Sequence, residues 1–266
     1  MSDRRYTALV LAATRGNRDP LAEKGGVSHK AFIDLHGTPM LRRVVASVAE
    51  SGRVGRILIA IEDGAVDEAR QVLSGAVGED TIDFVSSRAS IGASVVAIGE
   101  DYPDALPLII TTGDNGLHTH EIVRSFCDQL DHAAGDGALG LTDARYVIEK
   151  YPEGARAFHR FRDGEFSSCN LYAILTPKGL HGAQVFNGGG QFGKKPKRLI
   201  GAFGLVAFLI YKSRLTGVER FLGFLSRAIG VKTVPIFLPF AEGPIDIDRM
   251  NDWELAERIL AEREAA

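Results

Sequence analysis

Through the first half of the chain, short apolar runs alternate with stretches of helical period. Ala8–Ala12, Arg56–Ile61 and Pro107–Thr112 are apolar on nearly every residue, and Thr81–Val85 is a shorter run of the same kind. Between them lie Pro39–Ser51, with Leu41, Val44, Val45 and Val48 at helical spacing, then Ala65–Leu73, Ser90–Glu100 and His120–His132. Pro39 is placed for a first helical turn. Strands that are apolar on successive residues are buried on both faces. The pattern therefore predicts a mostly parallel sheet with helices on both sides, a three-layer α/β/α arrangement.

The rhythm changes after Leu139. Arg145–Ile148, Ala157–Arg162 and Asn170–Leu175 read as strands, with Asp163-Gly164 as a turn. Residues 198–229 read as two helices joined near Thr216-Gly217. Lys232–Phe237 reads as a late strand, and Asn251–Ala265 as a terminal helix capped by Asn251. No repeat, low-complexity tract or linker interrupts the chain. The expectation is one domain over residues 1–266 carrying a small β plus helical insertion at 145–230.

Composition narrows the function classes. The net charge of −3 gives no general reason to bind nucleic acid. Two cysteines, Cys127 and Cys169, are too few for a disulfide framework and imply a reduced, cytoplasmic setting. The opening MSDRRYTALVLAA breaks at Thr14-Arg15 and reads as a strand, not a signal peptide. Residues 191–232 carry nine basic residues against Glu219 alone, a local +8; with −3 overall, the remainder carries −11. Such asymmetry suits an anionic partner or a solvated helix pair. LIGAFGLVAFLIY, residues 199–211, is too short to span a bilayer. A buried helix that seals an acceptor pocket or a homodimer interface, and a peripheral membrane contact through 191–232, are the two readings, the first favoured.

Ligands of open α/β sheets bind beyond the carboxyl ends of the strands. Three segments place polar groups there. The loop after the first apolar run offers Arg15, Arg18 and Lys30, with Leu11, Ala12, Ala13, Thr14 and nearby glycines whose backbone N–H groups could approach a phosphate. The second is TTGDNGLHT, residues 111–119, where Gly113 and Asp114 end a buried strand. A carboxylate there suits Mg²⁺, which prefers oxygen ligands and bridges to phosphate; a turn cap is the plainer alternative. The third is GPIDIDRMNDW, where Asp246 and Asp248 alternate along an extended stretch. Asp114 and Asp248 would form a metal clamp if they converge.

Together these motifs resemble those of the MobA-like nucleotidyltransferases with a GT-A-like Rossmann fold. That group includes molybdenum-cofactor guanylyl- and cytidylyltransferases, methylerythritol-phosphate cytidylyltransferases and sugar-phosphate nucleotidyltransferases. The family pattern Leu-Ala-Gly-Gly-x-Gly-x-Arg corresponds to Leu11-Ala12-Ala13-Thr14-Arg15-Gly16-Asn17-Arg18, followed by Lys30-Ala31-Phe32 and Gly37-Thr38-Pro39-Met40-Leu41. Gly92-Ala93-Ser94-Val95 resembles the stretch beside the nucleobase, and Asp246-Ile247-Asp248-Arg249-Met250-Asn251-Asp252 the C-terminal acidic motif, with Met250 in place of Pro. Ala13 and Thr14 stand where the family has glycines, and Asp19-Pro20-Leu21 lengthens the loop.

The resemblance implies transfer of a nucleotide from an NTP, CTP or GTP being expected, to a small phosphorylated acceptor, with release of pyrophosphate and with Mg²⁺ as cofactor. Lys30, Arg18 and Asp114 would be catalytic. Leu11, Ala12, Ala13, Thr14, Arg15, Gly92, Ser94 and Gly113 would bind nucleotide. Asp114 and Asp248 would hold metal, with Asp246 as the alternative second ligand. Within the insertion, Lys150, Arg156, Arg160, Arg162, Ser167, Ser168 and Asn170 are candidates for the acceptor, since Arg and Lys suit phosphate and Asn and Ser suit hydroxyls. A GT-A glycosyltransferase and a non-catalytic nucleotide sensor are the competing readings. A dinucleotide-binding dehydrogenase is disfavoured, because Gly-x-Gly-x-x-Gly does not follow the first strand.

Overall fold

The structure is a computed structural model that describes residues 5–14, 19–154, 158–185 and 196–265. Its strands are β1 (Tyr6–Leu11), β2 (Asp34–Leu35), β3 (Thr38–Pro39), β4 (Val54–Ile61), β5 (Ile82–Ser86), β6 (Leu108–Thr112), β7 (Gly137–Asp143), β8 (His159–Phe161), β9 (Gly164–Ile174) and β10 (Thr233–Phe237). Its helices are α1 (Pro20–Gly25), α2 (Met40–Glu50), α3 (Val66–Leu73), α4 (Ile91–Asp101), α5 (His120–Leu130), α6 (Ala144–Lys150), α7 (Gly179–Ala183), α8 (Pro196–Ser213), α9 (Val218–Ile229) and α10 (Met250–Ala265).

The main sheet runs β10-β7-β9-β6-β1-β4-β5, with β8 pairing to β9. β1 lies parallel to β4 and β6, β4 to β5, and β10 to β7. Only β9 runs against its neighbours β6 and β7, and β8 against β9. The unbroken apolar character of β1 now has its cause. Ala8 and Val10 face one core with α2, α3 and α5, while Leu9 faces another with Leu58, Ile110 and the α4 residues Val95 and Ile98. Both faces are covered, as the sequence predicts. A third cluster packs α10, through Leu255, Ile259 and Leu260, on Ile33, Leu35, Met40 and Ile245. Over β7 and β9, α9 is anchored by Val218 against Leu141 and Phe166.

Three local expectations are corrected. Arg145–Ile148 is not a strand but part of α6, because Asp143 caps the helix by accepting the Arg145 N–H at 2.9 Å, and Ala144 and Val147 bury one face. The strand of this region is instead β7, whose GALGLTD sequence lacks β-forming bulk. Its glycines suit crowding, since a Cβ on Gly140 would stand 3.2 Å from Leu238 and 3.3 Å from Leu171. Asn251 is not a cap: α10 begins at Met250, and Asp252 accepts the N–H groups of Asp248 and Arg249 at 3.1 and 2.8 Å. The inserted Asp19-Pro20-Leu21 starts α1, with Asp19 accepting the Leu21 N–H at 2.8 Å and Pro20 in the first turn. The apolar stretch 199–211 lies inside α8, which is kinked at Gly204 (φ 84°, ψ 167°).

Candidate active site

At the carboxyl ends of β1 and β6 three chain segments meet. The Gly113 N–H donates to the Leu11 carbonyl at 2.9 Å, so β6 continues beside β1 to its last residue. A Cβ on Gly113 would stand 3.0 Å from the Ala31 Cβ and 3.5 Å from the Ala12 Cα. The absence of a side chain at 113 is therefore what lets the short turn Lys30–Phe32 approach both strand ends. The next residue, Asp114, accepts the Ile247 N–H on its carbonyl at 3.3 Å, which fastens the acidic segment 246–248 alongside. Ile247 is buried, so Asp246 and Asp248 project to the other side, as the alternation predicts.

Lys30 stands at the centre. Its Nζ is 2.6 Å from Asp114 Oδ2 and 2.7 Å from Asp248 Oδ1. Burial disfavours the ammonium charge, but the Asp114 and then the Asp248 carboxylates outweigh it and hold Lys30 above the ordinary lysine range. Beneath it the polar groups are linked. Thr112 Oγ1 donates to Asp114 Oδ1 at 2.5 Å, and Asn115 Nδ2 donates to Thr112 Oγ1 at 2.5 Å. Asn170 Nδ2 bridges Asn115 Oδ1 at 3.2 Å and Asp246 Oδ2 at 3.4 Å. Asn170 has φ 51°, a left-handed backbone that Asn tolerates better than most residues, and it lies where β7 and β9 slip register. His118 is buried and lies 2.9 Å from the Gly243 carbonyl, tying the loop after β6 to the segment before Asp246. Burial pushes its imidazole pKa down, so it is a neutral strut.

A second polar chain holds the wall beside β1. Thr14 Oγ1 donates to Glu62 Oε1 at 2.9 Å, and His29 Nε2 lies 3.0 Å from Glu62 Oε2. Burial opposes the charge of Glu62, but hydrogen bonds from its own backbone, Thr14 and His29 hold its pKa below the usual carboxylate value. The cleft above is lined by Leu11, Ala12, Ala13, Thr14, Lys30, Gly92, Ser94, Gly113, Asp114, Asn170, Asp246 and Asp248. Ser94 Oγ accepts the Arg88 N–H at 2.9 Å, shaping the turn ahead of α4.

The structure thus gathers most of the residues singled out from sequence into one cleft. Arg15, Arg18 and Arg156 lie outside the described residues. Four acceptor candidates do not line the cleft, among them Ser167, which stands opposite Thr142 in the β7–β9 pairing. Lys150 turns away to Glu242 at 2.7 Å, Arg160 pairs with Glu165 at 2.9 Å on the β8–β9 hairpin, and Arg162 lies beside the Thr216 turn. Each had a nearby acid or turn that the sequence could not rank as its partner. Glu62, His29, Asn115 and His118 were not singled out, although His29-Lys30 and Asp114-Asn115 adjacency marked two of them. Cys127 and Cys169 are buried, and burial pushes both thiols up to about 12, so neither is a nucleophile at neutral pH.

A cation and carboxylates thus gather beyond the carboxyl ends of β1 and β6, the side on which open α/β sheets bind ligands. The profile of the MobA-like NTP transferase domain matches residues 8–165, and the chain belongs to that family. A 2-C-methyl-D-erythritol 4-phosphate cytidylyltransferase of Solibacter usitatus is 32% identical over 137 residues, 50% of this chain and 53% of that protein. The enzyme of the same name from Rhodococcus opacus is 40% identical over 70 residues, 26% of this chain and 29% of that one. The chain spans about half the length, or less, of these curated relatives. Among solved structures, a hypothetical transferase from Thermus thermophilus superposes with a TM-score of 0.73 at 22% identity, covering 94% of this chain and 99% of that one. CMP:2-keto-3-deoxy-manno-octonic acid synthetase complexed with CTP gives 0.61 at 14% identity, covering 97% and 99%. Both share the fold.

Proposed function

We propose that this protein transfers a nucleotidyl group from an NTP, with CTP as the expected donor, to a phosphorylated acceptor. The observation that carries the reading is Lys30 held between Asp114 and Asp248 at the strand ends. The names of the curated relatives support CTP.

The acceptor phosphate oxygen forms a bond to the α-phosphorus. The bond from that phosphorus to the bridging oxygen of the β-phosphate breaks, and pyrophosphate leaves with the electron pair. A phosphate needs no general base, so positioning and charge neutralisation supply the rate. Lys30 binds triphosphate oxygens by exchanging one carboxylate for phosphate. Gly113 and Ala12 keep the floor low enough for the nucleotide to lie against the backbone, and Gly92 and Ser94 border the base.

Mg²⁺ fits this donor set. Asp114, Asp246 and Asp248 outnumber the Lys30 ammonium at this end of the cleft, an excess of negative charge that a divalent cation would neutralise. Among the described residues no three acid, His or Cys side chains enclose a metal by themselves. That suits an ion held by one or two carboxylates plus phosphate and water, arriving with the nucleotide. Asp114 and Asp248 would hold it, and it would supply charge neutralisation at the phosphates.

A pyrophosphate-release screen of four NTPs against phosphorylated sugars, polyols and alcohols tests the reading. Mg²⁺-dependent release with one NTP is expected. Transfer of a sugar from a nucleotide sugar, or tight NTP binding with no turnover on any acceptor, would overturn it.

A further inference from the structure

The cleft does not end at Asp248. It continues as one cavity of 1480 Å³ across β9 and beneath α8 and α9. Ligand pockets for small molecules are typically about 300–1,000 Å³, so a nucleotide does not fill it. The far wall is apolar, built by Phe161, Phe166, Phe203, Tyr211, Phe221 and Leu225. The rings pack on each other, with Phe161 and Phe221 centroids 5.5 Å apart and Tyr211 and Phe221 5.7 Å apart.

The Arg198 side chain lines the cavity near the start of α8, and the other polar side chains of this wall bond within the protein. His159 Nδ1 lies 2.8 Å from the Tyr211 hydroxyl, and the Ser168 hydroxyl 3.1 Å from that of Tyr172. Ser226 donates to the Leu222 carbonyl at 2.8 Å and accepts the Thr233 N–H at 2.9 Å. A sugar or polyol placed here would give up its water for few new hydrogen bonds, which is unfavourable. An apolar chain loses nothing by the same move and gains burial. The outward side of α8 has a matching character. Leu205, Val206 and Leu209 are 57, 58 and 55% exposed, with the exposed Lys197, Lys212 and Arg214 on the same helix and just after it. An apolar ridge flanked by basic residues suits the surface of an anionic bilayer.

We propose that the acceptor is an amphiphile, with its phosphate at the Lys30–Asp248 end and an apolar chain lying between the sheet and α8–α9. This rests on the nucleotidyl-transfer reading for its reaction: the amphiphile's phosphate oxygen bonds to the α-phosphorus and pyrophosphate departs. The chain slot itself is a separate physical claim.

Two measurements on the full chain test it. First, a dansyl-labelled undecyl chain is titrated into the protein. Saturable binding displaced by dodecyl phosphate, but not by butyl phosphate or glycerol phosphate, is expected. Leu225→Trp, which narrows the slot without adding charge, should weaken the probe tenfold or more while CTP affinity stays within about twofold. Circular dichroism confirms that the variant is folded, and Ile229→Gln is the second variant should it not be. Second, pyrophosphate release is followed with butyl, octyl and dodecyl phosphates, as monomers and in anionic vesicles. The kcat/KM should rise up to about fourfold per buried methylene until the slot is full. Faster turnover in vesicles assigns the source to a bilayer, and faster turnover of monomers to a free amphiphile. Absence of saturable probe binding, or a kcat/KM independent of chain length, overturns the proposal. Probe binding and displacement without pyrophosphate release on any acceptor overturns the transferase reading instead and leaves the slot standing.

Discussion

The ammonium of Lys30 lies 2.7 Å from the Asp248 carboxylate across 218 residues of chain. One end of that bond follows β1 and the other precedes α10, so the contact joins the two ends of the sequence at the sheet's carboxyl edge. Lys30 and Asp248 hold each other where the triphosphate is expected.

Asp114→Ala and Asp248→Ala should each remove most turnover while leaving the far-ultraviolet circular dichroism unchanged. Asp246→Ala is the comparison, since Asp246 bonds Asn170 rather than Lys30. Near-normal Mg²⁺-dependent turnover in the Asp114→Ala protein would sink the assignment.

Lys30→Met should weaken NTP binding by tenfold or more and nucleoside binding little. A hydrogen bond to a charged group contributes about 1.5–3 kcal/mol, which is at least a factor of ten. Arg18→Gln should act in the same direction. Isothermal titration with CTP and cytidine separates the outcomes, and equal losses would make Lys30 only a structural tie.

Asn170→Ala should lower stability more than Asn170→Gly, by about 1 kcal/mol. Both lose the side-chain bonds to Asn115 and Asp246, but only alanine is strained at φ 51°. Urea denaturation measures the difference, and an alanine variant as stable as the glycine one contradicts it.

Glu242 gives a pH-dependent test. Burial alone would raise its pKa, but hydrogen bonds from Lys150 at 2.7 Å and Tyr151 at 2.9 Å hold it below the usual glutamate value. A depressed folded pKa stabilises the protein above the unfolded value, and the contribution is lost as pH falls through the folded value. Glu242→Gln should therefore melt earlier than the parent at pH 7, by about 1–2 kcal/mol. The gap should close on acidification below the ordinary glutamate range. Melting curves at several pH values with a constant gap would refute the linkage.

How much of this was legible beforehand follows from the range of the forces. Runs such as Leu9–Leu11 and Leu58–Ala60 announced a doubly covered parallel sheet, because each residue of a strand buried on both faces must be apolar whatever its partners. Asp114 could be named singly because a carboxylate just past a buried strand is a local pattern, and Lys30 and Asp248 because the basic loop and the Asp246-x-Asp248 alternation carry the family resemblance. What the sequence could not supply was which groups meet. Lys150, Arg160 and Arg162 looked equally suited to an acceptor, yet Glu242, Glu165 and the Thr216 turn lie against them. Pairing of charges depends on distances set by chain segments far apart, and no local pattern encodes those distances. The same holds for β7. Its glycines argue against a strand locally, and crowding from distant segments explains them, by Leu171 and Leu238 at Gly140 and by the Ala173 carbonyl at Gly137. Tertiary structure also decided where the apolar stretch 199–211 points. Its composition fits a core helix, but packing turns Phe203 and Tyr211 toward the cavity and leaves Leu205 and Leu209 in water, a division set by the kink at Gly204 and the sheet beneath.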